Sequence, residues 1–328
     1  MPYDWLYLFS AWDSGYYYSL AANWYPSSLA PIWAYFPLYP ACIRLLGLLG
    51  LDLMVAGLLV SNIAGYVSII MFQKVGSTYL DKSSLLSATA LYFLSPYVFV
   101  FTSVSYSDSL FLLLSLMTWY AHIKGRDFNA AIFASLTALT RAYGLLILIP
   151  LGFDFFRRRQ FERLGFLGLP IATMAVWMYY GSFKTGSIFA PFTAQSYWTS
   201  TIAVQIREGI RLLLIDGDMR VFQLLQRFWI AAIFGIMCIT FIVWLCIRTW
   251  RTDRSLGVYS FTFLLAMILV VGTFIQNFIS LPRYLSLVFS NGLSLRTKRR
   301  WLLSAVLGLF AVLDLMAWWM FLFTENFH

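Results

Sequence analysis

Long apolar runs alternate with short basic clusters along the whole chain, and this alternation limits the fold more than any other feature. A helix that crosses a bilayer needs about 17 to 25 mostly apolar residues, and ten runs here approach that length. They span roughly Leu53 to Phe72, Leu85 to Phe101, Ser109 to Ile123, Ala130 to Arg141, Tyr143 to Phe156, Gly165 to Tyr180, Phe228 to Ile247, Leu256 to Ile275, Arg283 to Leu295 and Trp301 to Phe323. Only 11% of the residues are charged and 61% are hydrophobic, so a polar shell around a soluble core cannot be built. Lipid offers no partner to an open backbone, which leaves helices as the natural spanning element. The sequence therefore predicts an all-α, polytopic integral membrane protein, a bundle with about ten transmembrane helices.

The net charge of +9 lies in clusters between the apolar runs, a loop pattern rather than a nucleic-acid surface. Alternating the crossings gathers 15 of the 23 basic residues on one side: Lys74, Lys82, Lys124, Arg126, the arginines 157–159 and 163, Arg248, Arg251, Arg254, Arg296, Lys298, Arg299 and Arg300. That side is expected to be cytoplasmic. Asp13, Asp108, Arg141, the outer loop 182–227, Arg283 and the C-terminus then share the opposite side. The scheme requires a break near Thr140-Arg141-Ala142-Tyr143-Gly144, so that Ala130 to Phe156 is a hairpin of two short helices. It also requires Ala34 to Gly50 to lie in the outer interface, with Pro37 and Pro40 in its first turns and Arg44 reaching the headgroups. Ile202 to Leu214, with Arg207 and Arg211 beside an apolar face, reads as a second surface helix or as a plain loop helix. No linker or repeat divides the chain, so one domain, 1–328, is expected, with 1–52 forming the first extracytoplasmic loop. An outside N-terminus predicts a further transmembrane helix ahead of Met1.

Cys42, Cys238, Cys246, His122 and His328 form neither a disulfide framework nor metal-ligand spacing, and no cofactor or metal is motivated. From Met1 to Cys42 the only ionisable groups besides tyrosine are Asp4 and Asp13, within an aromatic stretch that includes Trp12, Tyr16, Tyr17 and Tyr18. Asp13 suits a general base that accepts a hydroxyl proton, or equally an N-cap for the run that follows. Asp108, in Tyr106-Ser107-Asp108-Ser109, carries the same two readings. Arg141 and Arg283 sit at outer helix breaks away from the basic clusters. Each suits a phosphate partner inside the protein, or snorkelling to headgroups. Asp314, inside the last apolar run, calls for a hydrogen bond to a neighbouring helix or for a protonated acid.

Trp12-Asp13-Ser-Gly-Tyr16-Tyr17 with Leu20-Ala21-Ala22, Tyr35-Phe36-Pro37-Leu38-Tyr39-Pro40, Tyr106-Ser107-Asp108-Ser109-Leu110-Phe111 and Leu139-Thr140-Arg141-Ala142-Tyr143-Gly144 follow one another in order. Together with Phe192-Thr-Ala194-Gln195 and Leu281-Pro282-Arg283-Tyr284, they resemble the motifs of the PIG-V type, GPI mannosyltransferase 2-like family, in the GT-C class of membrane glycosyltransferases. The resemblance implies an inverting enzyme that moves a sugar, mannose in that family, from a polyprenyl- or dolichyl-phosphate donor to a lipid- or protein-linked glycan acceptor. Asp13 and Asp108 would be its catalytic carboxylates. Trp12, Tyr16, Tyr17, Tyr106, Arg141, Gln195, Arg283 and Tyr284 would bind substrate. The active site would face away from the cytoplasm, in the endoplasmic reticulum membrane of a eukaryote or the plasma membrane of a prokaryote. Asp108 stands where family members often carry Glu, and the first transmembrane helix of such enzymes has no counterpart in this sequence. A transporter, or a non-catalytic subunit of a glycan assembly complex, is the alternative expectation.

Overall fold

A computed structural model describes residues 9, 13–194, 240–270, 283 and 286–323 of the chain, and among these every regular element is helical. The order is α1 Ser14–Asn23, a 3-10 turn Pro31–Ala34, α2 Leu38–Leu48, α3 Leu53–Gly76, α4 Lys82–Phe93, α5 Pro96–Ser103, α6 Asp108–Ile123, α7 Asp127–Thr140, a 3-10 segment Ala142–Ile147, and α8 Leu148–Arg157. A 3-10 segment Phe161–Leu167 then leads into α9 Gly168–Thr185, followed by α10 Arg254–Val270, α11 Phe289–Ser294 and α12 Arg300–Phe323. A helical stretch at 240–252 precedes α10. The expected surface helix Ile202 to Leu214 and most of the expected span Phe228 to Ile247 lie outside the described residues.

Two described helical segments, Leu53–Gly76 and Phe161–Thr185, are long and apolar enough to cross a bilayer, and a third counts if α4 and α5 are joined. Among the described residues this is fewer than the ten crossings expected, and breaks shorten several of the elements. α6, at 16 residues, and α7, at 14, rise about 24 and 21 Å, less than the ~30 Å hydrocarbon layer. The run Leu85 to Phe101 is not one helix. It bends by 65° between α4 and α5, where Pro96 disfavours helical geometry at the residue before it.

Elsewhere the local chemistry sets the boundaries. Asp52 caps α3 by accepting from the Met54 and Val55 amides at 2.9 and 3.3 Å, and Asp81 caps α4 through Ser84. The hairpin break falls where the charge and glycine placed it: α7 ends at Thr140, and Arg141 turns extended at φ −158° and ψ 143°. Gly144 allows this break. A Cβ there would lie 2.5 Å from the Thr137 carbonyl oxygen and 2.8 Å from the Ala138 amide nitrogen. α2 is eleven residues long, too short to cross, and exposes Leu45, Leu48 and Leu49. Arg44 does not reach outward as expected. Its guanidinium donates to the Ala21 and Ala22 carbonyls at 3.0 and 3.1 Å, closing the C-terminus of α1.

Successive helices run back and forth between two ends of the bundle. At one end, aromatic side chains seat the segment 13–48: Trp33 is fully buried and packs with Tyr25 and Trp177 of α9 at ring distances of 4.7 and 5.7 Å. Small residues of α3 let this layer close. Gly57 lies under Ser105 and Tyr18, while the Ser61 hydroxyl donates to the Tyr106 carbonyl and accepts from its amide.

At the other end, polar contacts join the loops. His122 sets Nδ1 3.2 Å from Asp127 and Nε2 2.9 Å from Asp154. Arg163 donates to Asp127, Ser255 of α10 and Arg157 donate to Asp154, and Arg296 donates to Thr252. Lys298 lies 3.6 Å from Asp81, and the Thr297 amide donates to Ser87. These contacts hold five of the expected basic clusters at a single end.

Gly144→Ala is expected to destabilise the purified protein by about 1 to 3 kcal/mol, because backbone rather than a pliant side chain occupies the space. Gly168→Ala, with nothing within 4 Å, serves as control. Thermal unfolding in detergent reads the difference, and equal midpoints for the two variants contradict the close approach.

Candidate functional site

At the aromatic end, Asp13 and Asp108 both precede or begin a helix, and each also had a reading as a cap. Neither caps. Asp13, at the start of α1, makes no side-chain hydrogen bond to the helix amides, and the N-cap position of α6 belongs to Ser107 rather than to Asp108. Their carboxylates are used elsewhere.

Asp108 is fully buried and holds two guanidinium groups from distant parts of the chain. Arg283 donates from Nε to Oδ1 at 3.1 Å and from one terminal nitrogen to Oδ2 at 2.7 Å, a fork-to-fork pair. Arg141 donates from a terminal nitrogen to the same Oδ2. Burying an unpaired carboxylate costs several kcal/mol, and the two cations with their hydrogen bonds offset that cost.

Each arginine is fixed by further contacts. Arg141 donates from Nε to the Ser107 hydroxyl at 2.9 Å and from a terminal nitrogen to the Tyr143 hydroxyl at 2.5 Å. The Arg283 guanidinium lies 4.1 Å from the Phe101 ring centre and 4.7 Å from that of Tyr106, where the ring faces attract it.

Asp13 is the accessible member, with its side chain 36% exposed. Its Oδ1 accepts from the Tyr35 hydroxyl at 2.9 Å, and its Oδ2 lies 4.0 Å from an Arg283 terminal nitrogen. Tyr16 stacks on the Tyr35 ring at 4.9 Å. The Asp13 amide donates to the Tyr106 hydroxyl at 3.0 Å, which locks the start of α1 onto the segment before α6. Burial pushes the Tyr35 phenol well above its ordinary pKa, and the Asp13 charge adds to this, so Tyr35 stays a donor. Burial likewise pushes Tyr17 up to about 12, opposed in part by the Arg141 charge.

The site thus brings together Asp13, Tyr16, Tyr17, Tyr106, Asp108, Arg141 and Arg283 of the expected set. Trp12, Gln195 and Tyr284 lie outside the described residues. Two expectations change in detail. Tyr17 and Tyr106 are buried at 4% and 0%, and Tyr17 exchanges a 2.8 Å hydrogen bond with Ser107. They frame the site rather than present a surface to substrate. Asp108 has both oxygens occupied by arginine and no exposure, which makes it the residue that positions the guanidiniums.

Sequence reasoning missed Tyr35, Ser107 and Tyr143 as parts of the site. All three lay inside motifs already singled out, but spacing does not show that Tyr35 meets Asp13 22 residues away or that Ser107 meets Arg141 34 residues away; Tyr143 meets Arg141 only two residues away. Among the described residues no group of His, Cys, Asp and Glu is arranged to hold a metal ion. Asp314 on α12 is 8% exposed, and its Oδ1 has no hydrogen-bond partner among the described residues, so the expected interhelical bond is not formed by that atom.

The chain matches no family model, no curated protein and no solved structure.

Asp108→Ala and Arg283→Met are expected to be coupled. Asp108→Ala alone should cost about 3 to 5 kcal/mol, and the double variant should cost less than the two single costs added, by about 1 to 3 kcal/mol. A double-mutant cycle of unfolding free energies measures this, and strict additivity would show that the pair does not form.

Proposed function

We propose that this protein is a multi-pass membrane glycosyltransferase that moves a sugar, mannose by its resemblance, from a polyprenyl- or dolichyl-phosphate donor to a hydroxyl of a glycan acceptor. Supporting this reading is one juxtaposition: an accessible carboxylate, Asp13, lies 4.0 Å from the buried Arg283 guanidinium, which shares Asp108 with Arg141, so that the two arginines carry one positive charge more than Asp108 neutralises. The aromatic end of the bundle would face away from the cytoplasm and the basic end would face it.

In this scheme the reaction is a single displacement with inversion. The acceptor hydroxyl gives its proton to Asp13 Oδ2 while its oxygen forms the new bond to the anomeric carbon. The bond from that carbon to the phosphate oxygen breaks, and its electron pair leaves with the lipid phosphate. Tyr35 holds Asp13 Oδ1, so the second oxygen is directed at the acceptor. The phosphate gains one negative charge as Asp13 loses one, so the total charge of the site stays constant. Arg283 bridges the carboxylate and the place where charge develops, which is where a fixed cation lowers the barrier most. A monophosphate leaving group can be met by arginine, and no step in the scheme calls on a metal.

Asp13→Asn, reconstituted in membranes with labelled polyprenyl-phosphate-mannose, is expected to transfer sugar at least about 100-fold more slowly than the parent protein. Transfer at the parental rate overturns the catalytic role. Tyr35→Phe removes a hydrogen bond to a charged group and should lower the rate by about 10- to 100-fold with the fold intact, judged by the unfolding midpoint. An unchanged rate would remove Tyr35 from the site.

A further inference from the structure

The basic end of the bundle carries a groove that the transfer reaction does not use. It lies one full length of α6, about 24 Å, from Asp108. Its volume is about 460 Å³, within the ~300–1,000 Å³ range of ligand sites, and its walls are Gly125, Arg126, Asp127, Phe128, Asn129, Arg163 and Phe166.

Three features of the groove point to one kind of occupant. Arg126 is exposed, and among the described residues its guanidinium forms no hydrogen bond or ion pair. Arg163, also on the wall, is tied to Asp127, whose carboxylate meets His122 as well and is only 4% exposed, so its charge is already engaged by these two partners. The rim is aromatic. Phe128 is 59% exposed and meets the half-exposed Phe166 at a ring distance of 6.5 Å, and the neighbouring Phe156 and Phe161 are 67% and 52% exposed.

On the segments that carry the groove, Lys124, Arg126, Arg157, Arg158, Arg159 and Arg163 stand against Asp127, Asp154, Glu162 and Asp253, which lies 3.9 Å from Arg157, leaving two positive charges in excess. Asp127 and Asp154 are buried. Exposed phenylalanines beside unpaired arginine at the end of an apolar bundle suit the boundary where acyl chains meet phosphate.

We propose that this groove binds the phosphate headgroup of an anionic phospholipid, with Arg126 as the primary contact and Phe128 and Phe166 against the first carbons of the acyl chains. The proposal concerns the end of the bundle away from Asp13 and does not depend on the transfer reaction.

The test uses the full-length protein in detergent micelles, with native mass spectrometry counting retained lipid during titration with phosphatidylglycerol or with phosphatidylcholine of the same acyl chains. The parent protein should retain one phosphatidylglycerol in clear preference to phosphatidylcholine, and Arg126→Gln should weaken that retention about fivefold. Arg299→Gln, a basic residue at the same end but outside the groove, should leave it unchanged. Equal loss in both variants would show that general basicity, not the groove, recruits the lipid. Unchanged retention in Arg126→Gln, or equal retention of the two lipids, overturns the proposal. So does displacement of the lipid by millimolar inorganic phosphate, which would mark a site for the free anion.

Discussion

Ionised groups inside an apolar bundle need opposite charge beside them, and here two guanidiniums gather on one buried carboxylate. Asp108 is fully buried and binds Arg141 and Arg283, which lie 33 and 175 residues away in the chain. For this contact to form, α6 must start where it does, α7 must end one residue before Arg141, and the segment carrying Arg283 must return to the same end of the bundle. Removing one member would strand charge in a place water does not reach, so the geometry of the site and the packing of the bundle are one constraint. Asp13 is left as the acid with access to solvent, held by Tyr35 and facing Arg283.

The same constraint shapes the opposite end. His122, Asp127 and Asp154 are buried there, and each is partnered by groups from other elements, including Arg163 from the segment before α9 and Ser255 from α10. Charge is therefore concentrated at two ends, one of nearly balanced charge and rich in tyrosine, the other basic. Between them the helices offer aromatic and small residues, such as Phe72, Phe111 and Phe263 in the core and Gly65 and Ser68 on α3. An arrangement of this kind suits chemistry at one face of a membrane and electrostatic anchoring at the other.

Much of this was legible in the residues. Helix α3, the hairpin break at Arg141 and the grouping of Asp13, Asp108, Arg141 and Arg283 all follow from hydropathy, glycine and the placement of basic clusters. The uses of those residues were not. Spacing cannot separate an aspartate that caps a helix, as Asp52 does, from one that leaves the helix amides alone, as Asp13 does, because the deciding partner is a tyrosine 22 residues on. Arg44 looked like a headgroup contact and instead closes α1, since the α1 carbonyls come within reach only after folding. The His122 cluster left no trace in the sequence, as its two acids are 5 and 32 residues away. Hydropathy marks an apolar run without fixing its length: among the described residues two helices, or three if α4 and α5 are joined, are long and apolar enough to cross.

The central claim is that the tyrosine-rich site and the basic end lie on opposite faces of a membrane. Single cysteines report this directly in sealed proteoliposomes. In a background with Cys42, Cys238 and Cys246 replaced by serine, Gly15→Cys, at an exposed position with open space around it, and Asn129→Cys are each treated with a membrane-impermeant maleimide. Within a single population of oriented protein, the account predicts that the reagent reaches one position only from outside and the other only from within. Labelling of both positions from the same face would contradict it.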